Sequence, residues 1–353
     1  MLVLENIPLA PLTTLKIGGP AKYFVEARNV GEVQEAASFA RSRDLPLFVL
    51  GGGSNLVVAD AGWPGLALKI AIQGINQNSG HDEDGKVLFE AGAGESWDKF
   101  VSHAVMARCA GVECLSGIPG SVGGTPVQNV GAYGQEVAET IASVQVLDLR
   151  DGDGQVRELC PEACEFSYRT SIFNTTERGR FIVLRVTYAL TPGGSPRITY
   201  ADLQRHFEGR ETPPDLAETR EAVRHIRARK GMLIVPGDPD CQSAGSFFKN
   251  PVLSQEEHED LKRRAAARGL AVPSYPALET RKKVSAAWLV ERSGFARGFS
   301  EGHVGISTRH ALAIVNRGGA TAADVLALKE QIQHRVEEIW GVRLEPEPVM
   351  VGF

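Results

Sequence analysis

The sequence predicts a chain of two or three domains, strand-rich first and mainly helical later, and three observations carry that reading. Its 353 residues exceed what one core usually holds at about 100 to 200 residues per domain. Between residues 47 and 190 short apolar runs alternate with glycine-rich turns, the pattern of strands. A turn-rich stretch at 191–196 then opens a mainly helical region, so the composition shift across 191–215 is the best candidate boundary.

After an N-terminal arm, residues 29–43 read as a helix. Asn29 stands where an N-cap belongs, Val33, Ala36, Ala37 and Ala40 recur at helical spacing, and Pro46 ends the run. Residues 47–50 form a buried strand that runs into Gly51-Gly52-Gly53-Ser54-Asn55, and 56–59 a second strand. Residues 66–70, 87–91, 143–149 and 181–190 read as further strands, and 96–110 as an amphipathic helix with Phe100, Ala104 and Val105 inward. In the helix at 216–230, Arg220, Arg224 and Arg227 share one face, which reads as solvated. Ser254 with Glu257 makes a capping box for a helix that closes at Gly269. A short apolar helix at 285–293 and a strand at 311–316 precede a long helix at 321–340, whose Val325, Leu328, Ile332, Val336 and Ile339 mark its core face.

Composition excludes several classes. Apolar residues at 43% and charged residues at 23% describe neither a disordered chain nor a coiled coil. A net charge of -5 argues against a nucleic-acid binder, so any anion site is local. The five cysteines are odd in number and include no C-x-x-C pair, and the eight histidines show no H-x-x-x-H or H-E-x-x-H, so no metal site is expected. The N-terminus carries no basic residue before Lys16 and meets Pro8 and Pro11, unlike a secretory signal. No apolar run reaches the roughly 18 residues of a membrane span. Glycine stands out, with 38 in the chain and 20 of them in the first 150 residues.

Four constellations can carry chemistry. Gly51-Gly52-Gly53-Ser54-Asn55 either cradles a pyrophosphate on successive N–H groups or is an ordinary tight turn. It is not the dinucleotide fingerprint before a helix, since a strand follows. Residues 111–134 hold seven glycines in 24 positions, either as a ligand-contacting loop or as a series of tight turns; together the two clusters suit a large dinucleotide that needs more than one loop. Arg169, set among Phe166, Tyr168 and Phe173, either grips an anion bidentately or ties two segments together. Ser246, in Ala244-Gly245-Ser246-Phe247-Phe248-Lys249-Asn250, is a hydroxyl on a small-residue turn with no obvious His partner, and Glu347 lies between Pro346 and Pro348 near the chain end.

Seven segments in register, LTTLKIGGPA, LGGGSN, IPGSVGGTPVQNVGAYG, FSYRTSIF, GSFFKNP, SAAWLV and LEPEPV, resemble the UDP-N-acetylenolpyruvoylglucosamine reductases, FAD-dependent enzymes of peptidoglycan precursor synthesis. The resemblance covers nearly the whole chain. It implies three α+β domains, two of them a vanillyl-alcohol-oxidase-type FAD-binding unit and the third binding substrate. The implied limits are 1–70 with 344–353 returning to it, 71–215, and 216–343. Some relatives of that fold tether flavin through His or Cys; residues 45–80 contain neither, so the expected FAD is non-covalent.

By this resemblance FAD is held by Gly51, Gly52, Gly53, Ser54 and Asn55, and by Gly117, Pro119, Gly120, Gly123, Gly124, Thr125, Gln128, Asn129, Gly131 and Ala132. NADPH reduces the flavin, which delivers hydride to the methylene carbon of the substrate's enolpyruvyl ether. The negative charge left beside the carboxylate is then stabilised by Arg169 and Glu347 and quenched by a proton from Ser246. Tyr168, Tyr200, Lys230, Asn250 and Arg292 match substrate-binding positions; Arg292 stands where some relatives have glutamine, and 231–242 is longer than in some. A cytoplasmic monomer that binds a UDP-sugar and NADPH, with no nucleic acid and no membrane insertion, completes the expectation. The competing readings are a flavin oxidase of the same fold, which makes peroxide without NADPH, and a colourless sugar-nucleotide binding protein.

Overall fold

Asn29 accepts a hydrogen bond from the Glu32 N–H at 2.9 Å and starts the helix Val30–Ser42, which buries Val33, Ala36 and Ala40 as its apolar spacing predicts. The computed structural model describes residues 1–82, 84–150, 154–277 and 280–353. The chain is α+β and divides into two compact units, one of residues 1–7, 21–53 and 64–228, the other of 8–20, 54–63 and 229–353.

The first unit is built on two large sheets. A four-stranded sheet runs in the order Leu4–Pro8, Pro20–Ala27, Trp63–Ile70 and Leu47–Leu50, and Leu47–Leu50 lies parallel to Trp63–Ile70 with Leu47 opposite Leu66. An antiparallel sheet runs Gln155–Leu159, Ile141–Asp148, Phe181–Pro192, Val87–Gly92 and Ile75–His81. The helix Trp97–Met106 buries Trp97, Phe100 and Ala104; Phe100 and Tyr188 lie 4.6 Å apart between ring centroids. This helix stops four residues short of its predicted end. Arg108 takes φ 57°, which breaks the helix, and Cys109–Ala110 pairs instead with Thr191 and Pro192.

The second unit packs three helices, Gln255–Ala266, Ala286–Glu291 and Ala322–Trp340, with two small three-stranded sheets. Its core joins Leu15, Ile17 and Val57 to Phe247, Leu289, Ile332 and Trp340. The predicted capping box of Ser254 and Glu257 forms, and the structure adds a second, of Thr321 and Asp324. Asp60 accepts from the N–H of Ala322 at 2.7 Å and of Ala323 at 3.1 Å, an extra carboxylate at a positive helix end. The tail strand Val349–Val351 runs parallel to Leu56–Val58.

Candidate active site

The two glycine clusters meet in the first unit. The strand Leu47–Leu50 delivers the chain into Gly51, and a Cβ on Gly52 would fall 2.5 Å from Gly120 Cα and 2.9 Å from Ser121 N. Only two bare backbones approach that closely. Beside them, Ser121 Oγ lies 2.9 Å from where a Gly51 Cβ would sit. That hydroxyl is buried and has no hydrogen-bond partner among the described residues, a costly state in a native core unless a ligand supplies one.

Not every residue of the second cluster faces outward. Thr125 is buried, its hydroxyl spent on Val122 O and Tyr188 Oη at 2.7 Å each. Asn129 donates to Glu136 Oε2 and Ser167 O and accepts from the Ala138 N–H. Gly123 and Gly124 donate to Ala93 O and Ser121 O. These four shape the loop through bonds within the protein. Pro119, Gln128, Gly131 and Ala132 are half-buried.

Gly117 is gripped from both sides. Its N–H donates to Asp98 Oδ1 at 2.6 Å, and its carbonyl accepts from Arg227 Nε at 3.1 Å. Asp98 also takes both Nη groups of Arg220, at 2.6 and 3.0 Å, and Arg224 Nη1 at 2.6 Å. Burial pushes the Asp98 carboxyl up, but the Arg220 and Gly117 hydrogen bonds and the two arginine charges outweigh it, so the group stays below the usual carboxylate range. Arg227 is buried, and desolvation lowers its guanidinium while Tyr133 and Asp98 oppose that. The arginine face predicted as solvated is therefore a buttress for the glycine loop. The helical spacing was legible; Asp98, 122 residues away from Arg220 in sequence, was not.

Arg169 sits on the turn closed by reciprocal Ser167 and Thr170 main-chain bonds at 3.0 and 3.1 Å. Its φ of 59° is a left-handed conformation that a non-glycine side chain adopts at a cost and that clusters at functional sites. The guanidinium donates to Gly131 O at 2.6 Å and Asn129 O at 3.4 Å, and it lies 5.3 Å from the Tyr168 ring centroid. Arg169 is thus registered on the second glycine cluster. Tyr200 is exposed and meets Tyr133 edge to face at 5.3 Å.

In the second unit Ser246 and Glu347 occupy paired backbone. Phe247 donates to Leu312 O at 2.7 Å, Glu347 N–H to Phe247 O at 2.9 Å, and Lys249 N–H to Glu345 O at 3.0 Å; Phe248 and Pro346 form a β-bridge. On the other side Asn55 Nδ2 donates to Glu347 O at 3.2 Å, and the Val349 N–H to Asn55 O at 2.9 Å. Asn55 and Glu347 are therefore structurally joined. Ser246 Oγ lies 3.1 Å from His310 Nε2, which supplies the histidine partner that sequence spacing did not reveal.

Lys230 is half-buried. Asn250 Oδ1 accepts from the Ala286 N–H at 2.9 Å, at the start of the helix Ala286–Glu291, whereas Arg292 is exposed at its C-cap. A six-residue helix, about 9 Å long at 1.5 Å per residue, separates the two.

A cradle too tight for a side chain, an orphaned buried hydroxyl and a braced glycine loop suit a phosphate-bearing ligand, and a family model described as "FAD binding domain" matches residues 21–159, which makes the chain a flavoprotein of the FAD-binding class. A second, "UDP-N-acetylenolpyruvoylglucosamine reductase, C-terminal domain", matches residues 238–351. Curated UDP-N-acetylenolpyruvoylglucosamine reductases from Thermobifida fusca and Streptomyces coelicolor are 45% and 47% identical to this chain, each over 99% of it and over 98% and 90% of their own lengths. The crystal structure of the Thermus caldophilus UDP-N-acetylenolpyruvylglucosamine reductase matches with a TM-score of 0.64 at 30% identity, covering 99% of both chains. The chain belongs to the UDP-N-acetylenolpyruvoylglucosamine reductase family.

Proposed function

We propose that Arg169, Ser246 and Glu347 carry the family's chemistry in this chain. The protein is an FAD-dependent oxidoreductase that uses NADPH to reduce the enolpyruvyl ether of UDP-N-acetylglucosamine to the lactyl ether of UDP-N-acetylmuramate, in peptidoglycan synthesis. Bound FAD supplies the two-electron relay between NADPH and the enolpyruvyl group. Gly51, Gly52 and Gly53, with Gly120 and Ser121, would hold it, on a loop that Gly117 anchors through Asp98 and Arg227; the unpartnered Ser121 hydroxyl and the bare Gly52–Gly120 approach fit a phosphate-bearing ligand.

Reduction at the substrate's methylene carbon leaves negative charge on the neighbouring carbon, delocalised into the carboxylate. Arg169 stabilises that charge from a preorganised position, since two carbonyl oxygens already fix its guanidinium. Ser246 then gives its hydroxyl proton to the carbon: the O–H bond breaks as the C–H bond forms. A serine is a weak acid, but a carbanion-like acceptor is a strong base, so placement outweighs pKa matching. Glu347 polarises the carboxylate end. The observation that supports this reading is the paired backbone of Phe247 and Glu347, which sets the turn that carries Ser246 beside the segment that carries Glu347.

Lys230, Asn250 and Tyr200 are assigned to the substrate diphosphate, with Tyr168 beside Arg169. Arg292 is assigned there from the resemblance alone. The proposed domain limits are 1–70 with 344–353, 71–215 and 216–343; the tail strand lies beside Leu56–Val58, within the compact unit that groups 8–20 and 54–63 with 229–353. A cytoplasmic monomer is part of the proposal: both co-substrates are water-soluble nucleotides, and no helix among the described residues is long and apolar enough to cross a membrane. Sedimentation checks the oligomeric state.

The test of function mixes the purified yellow protein with NADPH and enolpyruvyl-UDP-N-acetylglucosamine and follows the NADPH absorbance. Oxidation that depends on the sugar nucleotide is expected. Peroxide formation without NADPH points instead to an oxidase.

A further inference from the structure

We infer that Asp240 is a positioning residue for the Ser246 hydroxyl, acting through the Ser307–His310 turn; the inference rests on the reading of Ser246 as proton donor. Asp240 is only 2% exposed and lies on the loop 231–242. Its Oδ1 accepts from the Thr308 N–H at 3.1 Å, and its Oδ2 from Thr308 Oγ1 at 2.5 Å and Arg309 Nε at 3.1 Å. Arg309 also pairs with Asp238, whose side chain accepts from the Asp240 N–H at 3.0 Å. Three consecutive functional groups of one turn are thus fixed by one buried carboxylate, a charge-assisted and geometrically specific arrangement.

That turn ends on His310. Ser307 Oγ accepts from the N–H of Arg309 at 3.1 Å and of His310 at 3.2 Å, and His310 Nε2 reaches Ser246 Oγ at 3.1 Å. Downstream, Leu312 O accepts from the Phe247 N–H at 2.7 Å, so the same segment holds the backbone beside the serine. A serine hydroxyl rotates among three wells, and only one directs its proton at a given acceptor. The contact with His310 selects the well, and Asp240 sets where His310 stands. The network also touches Lys230's neighbour: a Cβ on Gly231 would lie 3.1 Å from Arg309 Nε and 3.2 Å from Asp240 Cβ. The loop that leads to a proposed diphosphate contact therefore shares a buttress with the proton donor.

Asp240→Asn turns an acceptor into a donor facing Arg309, and Thr308→Val removes one hydroxyl at an exposed position. Rapid mixing of the FAD-loaded variants separates reduction by NADPH from reoxidation by enolpyruvyl-UDP-N-acetylglucosamine. Both variants are expected to reduce within about twofold of the parent and to reoxidise about 10-fold more slowly or worse, as misplaced reacting groups do. Thr308→Ser, which keeps the hydroxyl, restores reoxidation. Affinity of the oxidised Thr308→Val protein, whose change lies away from Gly231, for the sugar nucleotide, read from the flavin spectrum, stays within about twofold. Equal slowing of both half-reactions, unchanged reoxidation, or a Thr308→Ser defect as large as that of Thr308→Val overturns the inference; if Asp240→Asn does not fold, the Thr308 pair decides. Where Ser246→Ala itself leaves reoxidation intact, the reading of Ser246 fails; where Ser246→Ala blocks it and these variants do not, only the role of Asp240 fails.

Discussion

The main-chain N–H of Glu347 donates to the carbonyl of Phe247 at 2.9 Å. The last residues of the chain, which would ordinarily fray, are thereby locked to the turn that carries Ser246. Pro346 and Pro348 stiffen the same segment, and Asn55 secures its other edge. A carboxylate on a chain end acquires a fixed address through three segments far apart in sequence.

The close approach of Gly52 to Gly120 makes Gly52→Ala a clean probe of the cradle. The new methyl meets backbone atoms at 2.5 to 2.9 Å, which cannot swing aside, so the loops must separate. Overpacking of this kind costs about 1 to 3 kcal/mol. Titration of the apoprotein with FAD is expected to show an affinity about 10-fold weaker or worse, with secondary structure unchanged.

Arg169→Lys keeps the charge but loses the planar fork that holds Gly131 O and Asn129 O together. Reoxidation of the reduced protein by the sugar nucleotide is expected to slow by roughly 10² to 10³, the usual effect of losing one preorganised donor. Reduction by NADPH should change little, and stopped-flow absorbance reads both rates.

Asp148 gives the stability a defined pH dependence. Hydrogen bonds from Arg180, against the opposing effect of burial and with help from Arg157, hold its carboxyl at about 2, below the unfolded value of about 3.9. A lowered folded pKa stabilises the protein above the unfolded value, and the contribution fades as pH falls through about 4 toward 2. Because Arg157 is well exposed, the contribution is discounted to about 1 kcal/mol at neutral pH. Urea unfolding of Asp148→Asn should show that deficit at pH 7 and a shrinking one below pH 4.

Much of the fold was legible because helix starts are local. Asn29, Ser254 and Thr321 each cap where the apolar repeat begins. The strand Leu47–Leu50 was clear from an uninterrupted apolar run ahead of the glycines. Leu4–Pro8 and Gln155–Leu159 were missed, since each lies at a sheet edge and is mostly exposed and so shows no alternation. The strands Val252–Leu253 and Ser300–Glu301 are too short to show a period. For the proposed site, residue types raised Arg169, Ser246 and Glu347 only beside structural alternatives, and the resemblance of seven segments in register gave them their roles. What the sequence concealed were the partners: Asp98 under Arg220 and Arg224, His310 beside Ser246, and Asp240 beneath the turn that carries His310. Each of these contacts joins segments more than 60 residues apart, and periodicity within one element carries no trace of it.

The central claim, that Ser246 is the proton donor to the reduced substrate, is tested most directly by the two half-reactions of Ser246→Ala. The account predicts a flavin that NADPH still bleaches at nearly the parental rate and that enolpyruvyl-UDP-N-acetylglucosamine then reoxidises very slowly. Equal loss in both half-reactions, or undiminished reoxidation, contradicts it.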